Sequence, residues 1–401
     1  MKTAVVILNW NTRDYLETFL PPLIKSVEGN DAAVIVADSA STDGSIDLVS
    51  SKFPEVKTIA LDRNYGFTGG YNRAFRQILD RQASVGSAVP EYLVLINSDI
   101  KVSPNWLAPL TAWLDAHPEC GVCGPKLHAL IREGCSAGNG QGCIAGSGQG
   151  CSAGGGKCGG YVLSENFEYA GAAGGCLDRY GYPFCRGRVL KRTEPDSGQY
   201  DIPKNVLWVS GACMVTMASL WEELGGLDDR FFAHMEEIDF CWRAQLSGYK
   251  VTVVPESCVY HLGGGTLPQT SPFKLKLNYR NGLLLLDNNL AATIGEGKAK
   301  RRIRERVILD NCSAAVYLLT GKFSLLKAVR DAHREYWALR TAPHSQNVIQ
   351  PVRNSIRQPE GATFPARNGG VDGLMDIDIV LQSALRGKGI FKYLRRYENC
   401  H

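Results

Sequence analysis

The chain has 401 residues, enough for one large domain or two ordinary ones, and its 44% hydrophobic and 21% charged content is that of a soluble globular protein. A net charge of +4 is too small to argue for nucleic acid, and no apolar run approaches the roughly 18–20 residues needed to span a bilayer. Met1-Lys2 leads directly into strand-like sequence without a small-residue cleavage site. No signal peptide is read, the expected location is cytoplasmic, and the thirteen cysteines are expected as reduced thiols.

Thr3–Leu8 reads as a strand that ends in Asn9-Trp10-Asn11, and an amphipathic helix is predicted over Thr12–Val27 with Thr12 or Asn11 as its cap. Ala33–Ala37 is a second strand, ending at Asp38 and followed by a polar loop through Asp43-Gly44 and a helix from Ser45. Lys57–Ala60 is a third, followed by the glycine-rich stretch Asn64–Asn72 and a helix to about Arg81. Leu93–Ile96 is unbroken Leu, Val and Ile, the pattern of a strand covered on both faces. It stops at Asn97-Ser98-Asp99, and a helix is predicted from Pro104. Four strand–loop–helix units predict a parallel, doubly wound α/β sheet whose polar loops gather at one edge. Ligands bind at that edge, so Asp99 is placed to hold a hard cation, unless Asn-Ser-Asp is simply a turn. The glycine-rich stretch before the third helix puts free backbone amides where phosphate is favoured. It is not the dinucleotide fingerprint, which needs its glycines directly after the first strand.

Gly134–Gly160 is an octad repeat of Gly, Cys, Ser, Ala and Gln. It has too little apolar side chain to offset the entropy of ordering its backbone, and a flexible surface insertion is expected. Phe167–Arg188 is expected to form loops and short strands over the site edge, and Val206–Met217 resumes strand-like sequence around Ser210-Gly211-Ala212. A helix is predicted near Glu236, opening with Glu236, Glu237 and Asp239. Acidic residues at a helix start suit its dipole. The flanking Phe231, Phe232, Phe240 and Trp242 suggest burial, where a general base is found. Lys250–Val254 is a further strand, and His261 follows it.

In this order the motifs resemble the family 2 glycosyltransferases, and among them the rhamnosyltransferase-like branch. The resemblance runs from about Thr3 to Thr266 on Asn9-Trp10-Asn11, Asp38 through Asp43-Gly44, Asn64-Tyr65-Gly66 with Gly70 and Asn72, Asn97-Ser98-Asp99, Gly211-Ala212, Glu236-Glu237 with Asp239, and His261. It implies a GT-A, Rossmann-like nucleotide-diphospho-sugar transferase fold with a C-terminal helical extension. It implies an inverting transferase that moves a sugar from a UDP- or dTDP-sugar to a hydroxyl of a glycan or lipid-linked acceptor in cell-surface polysaccharide assembly. Asn9, Asp38, Asp43, Asn64, Gly66 and Asn97 would line the donor site, and Asp99 with His261 would hold Mg²⁺ or Mn²⁺. Glu237, ahead of Glu236, would be the base. Asn97 stands where the family's first metal-motif acid is usual, and Glu237 where Asp is usual.

Two other functions fit parts of the sequence. A sugar-1-phosphate nucleotidyltransferase needs a Gly-rich, Arg/Lys-bearing loop after the first strand, which Asn9-Trp10-Asn11-Thr12 is not. An inactive carbohydrate-binding or scaffold protein is supported only by the insertion and the two exchanged site residues. The catalytic domain is expected over 1–266, a helical extension over 267–340, and a linker with one last helix over 341–401. Lys274, Lys276, Arg280 and Lys298–Arg306 form either a basic face for peripheral contact at the inner membrane surface or a plain solvated face.

Overall fold

A computed structural model describes residues 1–84, 88–133, 157–158, 160–263, 271–340 and 370–400. The octad insertion lies almost wholly outside the described residues, as does the expected linker up to its last residue. The first hundred residues alternate as the pattern requires: β1 (Thr3–Asn9), α1 (Arg13–Val27), β2 (Ala32–Asp38), α2 (Ser45–Lys52), β3 (Lys57–Ala60), α3 (Gly66–Ser84) and β4 (Tyr92–Ile96). β1 lies parallel between β2 and β4, and β3 lies parallel on the far side of β2. Val5, Val36, Leu93, Val94 and Leu95 are fully buried, because helices cover both faces of these unbroken apolar runs.

The rest of the sheet departs from the expected all-parallel pattern. β5 (Ile100–Val102), α4 (Leu107–Ala116) and the long β6 (Cys120–Arg132) come next, then β7 (Lys157–Cys158) and β8 (Tyr161–Phe167); β8 folds back antiparallel onto the end of β6, and β7 pairs with β8. A separate four-stranded sheet is formed by β9 (Gly175–Leu177), β10 (Pro183–Cys185), β11 (Arg188–Val189) and β12 (Arg192–Thr193). β13 (Lys204–Asn205), β14 (Cys213–Met217), α5 (Ala218–Glu223), α6 (Glu236–Leu246) and β15 (Lys250–His261) complete the core. The main sheet runs β13-β15-β6-β14-β4-β1-β2-β3, with β14 antiparallel to both β4 and β6. The reason is geometric. β14 is reached from the edge at which β4 ends, so it can only run back against it.

Among the described residues five helices follow: α7 (Pro272–Ile294), α8 (Glu296–Leu319), α9 (Phe323–Arg340), α10 (Ile379–Arg386) and α11 (Ile390–Cys400). Leu283–Leu286 is buried in the same cluster as Leu95 of β4 and Trp242 of α6, so α7 belongs to the core of the sheet. The expected helical extension up to 340 includes two helices, α8 and α9, that part at Gly321, which sits at φ 67°. The expected last helix is instead an extended stretch followed by α10 and α11. That stretch bonds to β9, with Leu177 N donating to Gly373 O at 3.0 Å and Met375 N to Leu177 O at 2.9 Å. Much of the predicted basic face is used inside the protein. Arg280 donates to Phe231 O at 2.7 Å, and Arg306 donates to Asp310 at 2.8 Å and to Tyr180 O at 2.9 Å. Among the described residues, no helix is long and apolar enough to cross a membrane.

Candidate active site

The ends of β1 and β2 are tied together by buried side chains. Asn9 donates to Asp38 Oδ1 at 2.6 Å and to Ser41 Oγ at 3.1 Å, and the second oxygen of Asp38 accepts from Ser41 N at 2.9 Å. Asp43 lies in the same loop but faces helices: its carboxylate accepts from Arg13 N at 2.9 Å and Ser45 N at 3.1 Å. These are the first amides of α1 and α2, so one carboxylate caps both helices. The predicted cap is displaced accordingly. The Thr12 hydroxyl donates to Asn9 Oδ1 at 2.5 Å instead of capping α1.

The start of α3 differs from the expected open phosphate cradle. Gly66 N donates to Asn64 Oδ1 at 2.8 Å, while Phe67 N and Thr68 N both donate to the carbonyl of Phe232, at 2.8 and 3.2 Å. The first amides of the helix are therefore already satisfied from within the protein. Gly66 has φ 72°, and a Cβ there would lie 2.5 Å from the Phe232 ring. Its role is to let the Phe232 loop approach.

Beyond β4, Asn97 N donates to Ala212 O at 2.9 Å, and the Asn97 amide lies 3.5 Å from His261 Nε2. His261, the last residue of β15, stands between two carboxylates. Asp99 Oδ1 lies 3.3 Å from its Nε2 and Glu168 Oε2 lies 3.4 Å from its Nδ1, all three groups being buried. Burial works to raise the Asp99 carboxyl, but the imidazole beside it holds it below its ordinary value. Burial likewise opposes charge on His261, and the two carboxylates outweigh it and hold its pKa well above the usual imidazole range. Glu168 was not singled out from the sequence. Its place depends on how β8 folds back on β6, and no local pattern around it carries that.

The acidic segment begins α6 behind a strained loop. Phe232, His234 and Met235 have φ of 63°, 70° and 71°, a conformation that non-glycine residues seldom adopt. Asn281 of α7 holds the loop there, donating to the carbonyls of Phe231, Ala233 and His234 at 3.0, 2.8 and 2.7 Å. Asp239 is structural: it pairs with Arg243 at 2.7 Å and accepts from Asn288 and Asn289. Glu236 and Glu237 are different. Each has a carboxylate oxygen buried without a hydrogen-bond partner, as does His234 Nε2. Orphaned buried polar atoms are rare in folded proteins and cost free energy. Three fall within four residues at the start of α6.

The segment before β14 joins these parts. Ser210 Oγ donates to Ala170 O at 2.5 Å, close to Glu168. The Cα of Gly211 faces Glu237, whose Cβ would be 3.4 Å from a Cβ at that position, and Ala212 O receives Asn97 N. Asp99, His261, Glu168 and Glu237 are thus gathered around one short backbone segment. Among the described residues no cage of three His, Cys, Asp or Glu ligands is formed. Asp99 and His261 nevertheless fit a cation. They offer one oxygen and, once the imidazole gives up the proton that Asp99 and Glu168 favour, one nitrogen on adjoining strand ends, and His261 Nδ1 lacks hydrogen-bond geometry to any partner.

Residues 4–130 match the family model described as glycosyl transferase family 2. Over 258 residues the chain is 25% identical to the N-acetylglucosaminyl-diphospho-decaprenol L-rhamnosyltransferase of Mycobacterium tuberculosis, covering 64% of this chain and 75% of that one. It is 22% identical over 263 residues to the O-antigen biosynthesis protein RfbC of Myxococcus xanthus, covering 65% of this chain but only 17% of that longer protein. Among solved structures, S. aureus TarS 1-349 in complex with UDP-GlcNAc superposes with a TM-score of 0.48 at 15% identity, over 84% of this chain and 82% of that one. GalNAc-T7 with UDP, GalNAc and Mn²⁺ superposes with a TM-score of 0.49 at 16% identity, over 70% of this chain and 47% of that one.

Proposed function

On the premise that this chain is a family 2 glycosyltransferase, we propose that it moves a sugar with inversion from a nucleoside diphosphate to a hydroxyl of a glycan or lipid-linked acceptor. The observation that carries this reading is the placement of Glu237 across Gly211-Ala212 from the Asn97–Asp99 strand end. A base is then opposite the position at which a diphosphate would leave. The relative named for L-rhamnosyl transfer to N-acetylglucosaminyl-diphospho-decaprenol supports a lipid-linked acceptor and a place in cell-surface glycan assembly.

In this mechanism Asn9, Asp38 and Asn97 line the donor pocket, and Asp38 takes a hydrogen bond from the pyrimidine of a UDP- or dTDP-sugar. Asp43, Asn64 and Gly66 shape that pocket by fixing the helices and loop around it. Asp99 and His261 would hold Mg²⁺ or Mn²⁺, which when bound offsets negative charge gathering on the diphosphate. Glu237 accepts the proton of the acceptor hydroxyl as its oxygen bonds to the anomeric carbon. The bond from that carbon to the diphosphate oxygen breaks, and its electron pair leaves with the nucleotide.

A panel of nucleotide-sugars, with released nucleoside diphosphate as the readout, tests the reading and identifies the donor. Release from none of them would overturn it. Asp99→Ala is expected to abolish metal-dependent donor binding while leaving the circular dichroism spectrum unchanged. Unchanged affinity and metal dependence would remove Asp99 from the cation site.

A further inference from the structure

The outer face of α8 carries an apolar stripe that the core does not use. Ile308 (62% exposed), Val316 (55%) and Leu319 (86%) recur at helical spacing, and Leu318 (53%) and Phe323 (66%) extend the stripe around the turn into α9. Single exposed apolar residues need no explanation, but a contiguous patch does. Its charge is one-sided. Asn311 through Arg330 contains no acidic residue, while Lys322, Lys327 and Arg330 are exposed there.

The helix contacts fix where this tip points. Tyr279 of α7 lies beside Ser313 and Tyr317 of α8, whereas Gly282, further along α7, lies against Arg306. α8 therefore runs antiparallel to α7. Lys276 and Asp287 of α7 pair with Glu335 and Arg340 of α9, so α9 runs parallel to α7. The turn between α8 and α9 is thus at the end where α7 begins. Phe323 precedes Glu335 by twelve residues, and Pro272 precedes Lys276 by four, so the tip projects roughly 12 Å beyond the first residue of α7 at a rise of about 1.5 Å per residue. At that end Phe273 of α7 is half-exposed and meets Phe232, with ring centroids 6.4 Å apart, in the strained loop ahead of Glu237.

We propose that the α8–α9 tip is a membrane-docking surface, which inserts Leu318, Leu319 and Phe323 among the lipids while Lys322, Lys327 and Arg330 meet anionic phospholipid headgroups. Apolar side chains that enter an interface by about 5–10 Å and are flanked by cations give such a surface both its grip and its lipid preference. A second copy of the chain fits less well. A two-fold contact through this patch would set its cations against themselves. The proposal deepens the transferase reading, because a tip on the Glu237 side would bring a lipid-linked acceptor to the site from the bilayer surface.

Flotation of the full chain with phosphatidylcholine vesicles, with and without phosphatidylglycerol, tests it. The wild type is expected to float with the phosphatidylglycerol vesicles and to be released by high salt. Leu319→Ser with Phe323→Ser should lower that partition at least tenfold, and Lys322→Glu with Lys327→Glu by about fivefold or more per charge. Circular dichroism melts check that both variants remain folded. Failure of the wild type to float, or equal flotation of the serine variant, would overturn the proposal. So would a wild-type dimer that the serine variant breaks without any vesicle binding. Nucleoside diphosphate release with a water-soluble acceptor, measured on the same preparations, separates the two readings. Turnover without flotation defeats only the docking surface, and flotation without turnover from any donor defeats only the transferase.

Discussion

Glu236 and Glu237 are neighbours on one helix, yet their surroundings divide them. Glu236 is buried, and desolvation with the charge of Glu237 beside it pushes its carboxyl well above the usual range. Glu237 is partly exposed beside Gly211, and burial raises it from 4.5 to about 7. A base must be ionised to work, so turnover should rise with pH up to about 7 and level off above it. Glu237→Gln should lower turnover by about 10²–10⁴-fold with little change in donor affinity, whereas Glu236→Gln should not. The reverse result would move the base by one residue. Stability has the opposite slope to activity. A folded value above the unfolded one favours the fold most when the group is protonated, so this contribution is full below about 4.5 and is lost as pH rises through about 7. The melting temperature of Glu237→Gln should therefore exceed that of wild type at pH 8 and match it near pH 4. At this scale a contiguous motif, such as Asn97–Asp99 or Glu236-Glu237, could be singled out as a candidate from the sequence. The sequence was misleading at Asp43, whose carboxylate is taken by two helix starts, and silent at Glu168, which only tertiary pairing brings to His261.

The loop over residues 231–235 is the element on which the site depends most. Its carbonyls are held on one side by Arg280 and Asn281, and on the other the Phe232 carbonyl caps α3. That arrangement requires Gly66, where a side chain would meet Phe232 at 2.5 Å with φ at 72°. Gly66→Ala should cost about 2–4 kcal/mol of stability and lower turnover as well, because the displaced loop leads into Glu237. A variant with wild-type melting and wild-type turnover would contradict this. The parallel half of the sheet was legible because each strand is a short apolar run followed by an amphipathic helix. The reversal of β14 was not, since a strand's direction follows from the edge it is reached from and leaves no mark on its residues. The basic stretches of α7 and α8 read as an outward face, toward membrane or solvent, because charge alone cannot reveal that Arg280 and Arg306 find buried carbonyls and carboxylates.

Over the whole molecule, the segment after residue 370 is part of the core and not an appendage. Met375, Ile377, Ile379, Ile390 and Phe391 bury Cys176, Phe184 and Val189 of the small sheet. Asp178, fully buried, accepts from Tyr180 N, Tyr182 N and Ile379 N. A chain ended after Arg340 keeps every residue assigned to the site but uncovers this cluster. It should melt well below the full chain and bind a hydrophobic dye; equal melting of the two would show the cluster to be dispensable.

The same contact has a consequence for how the protein is made. Asp178 and Ile379 are 201 residues apart. A ribosome working at roughly 5–20 residues per second leaves the small sheet uncovered for about 10–40 s after Asp178 is joined. The parallel half of the sheet needs only near neighbours and can form during that interval. The small sheet cannot, so the nascent chain carries finished strands beside a raw apolar surface. Chaperone occupancy on translating ribosomes should persist past Arg340 and end only once α11 has emerged.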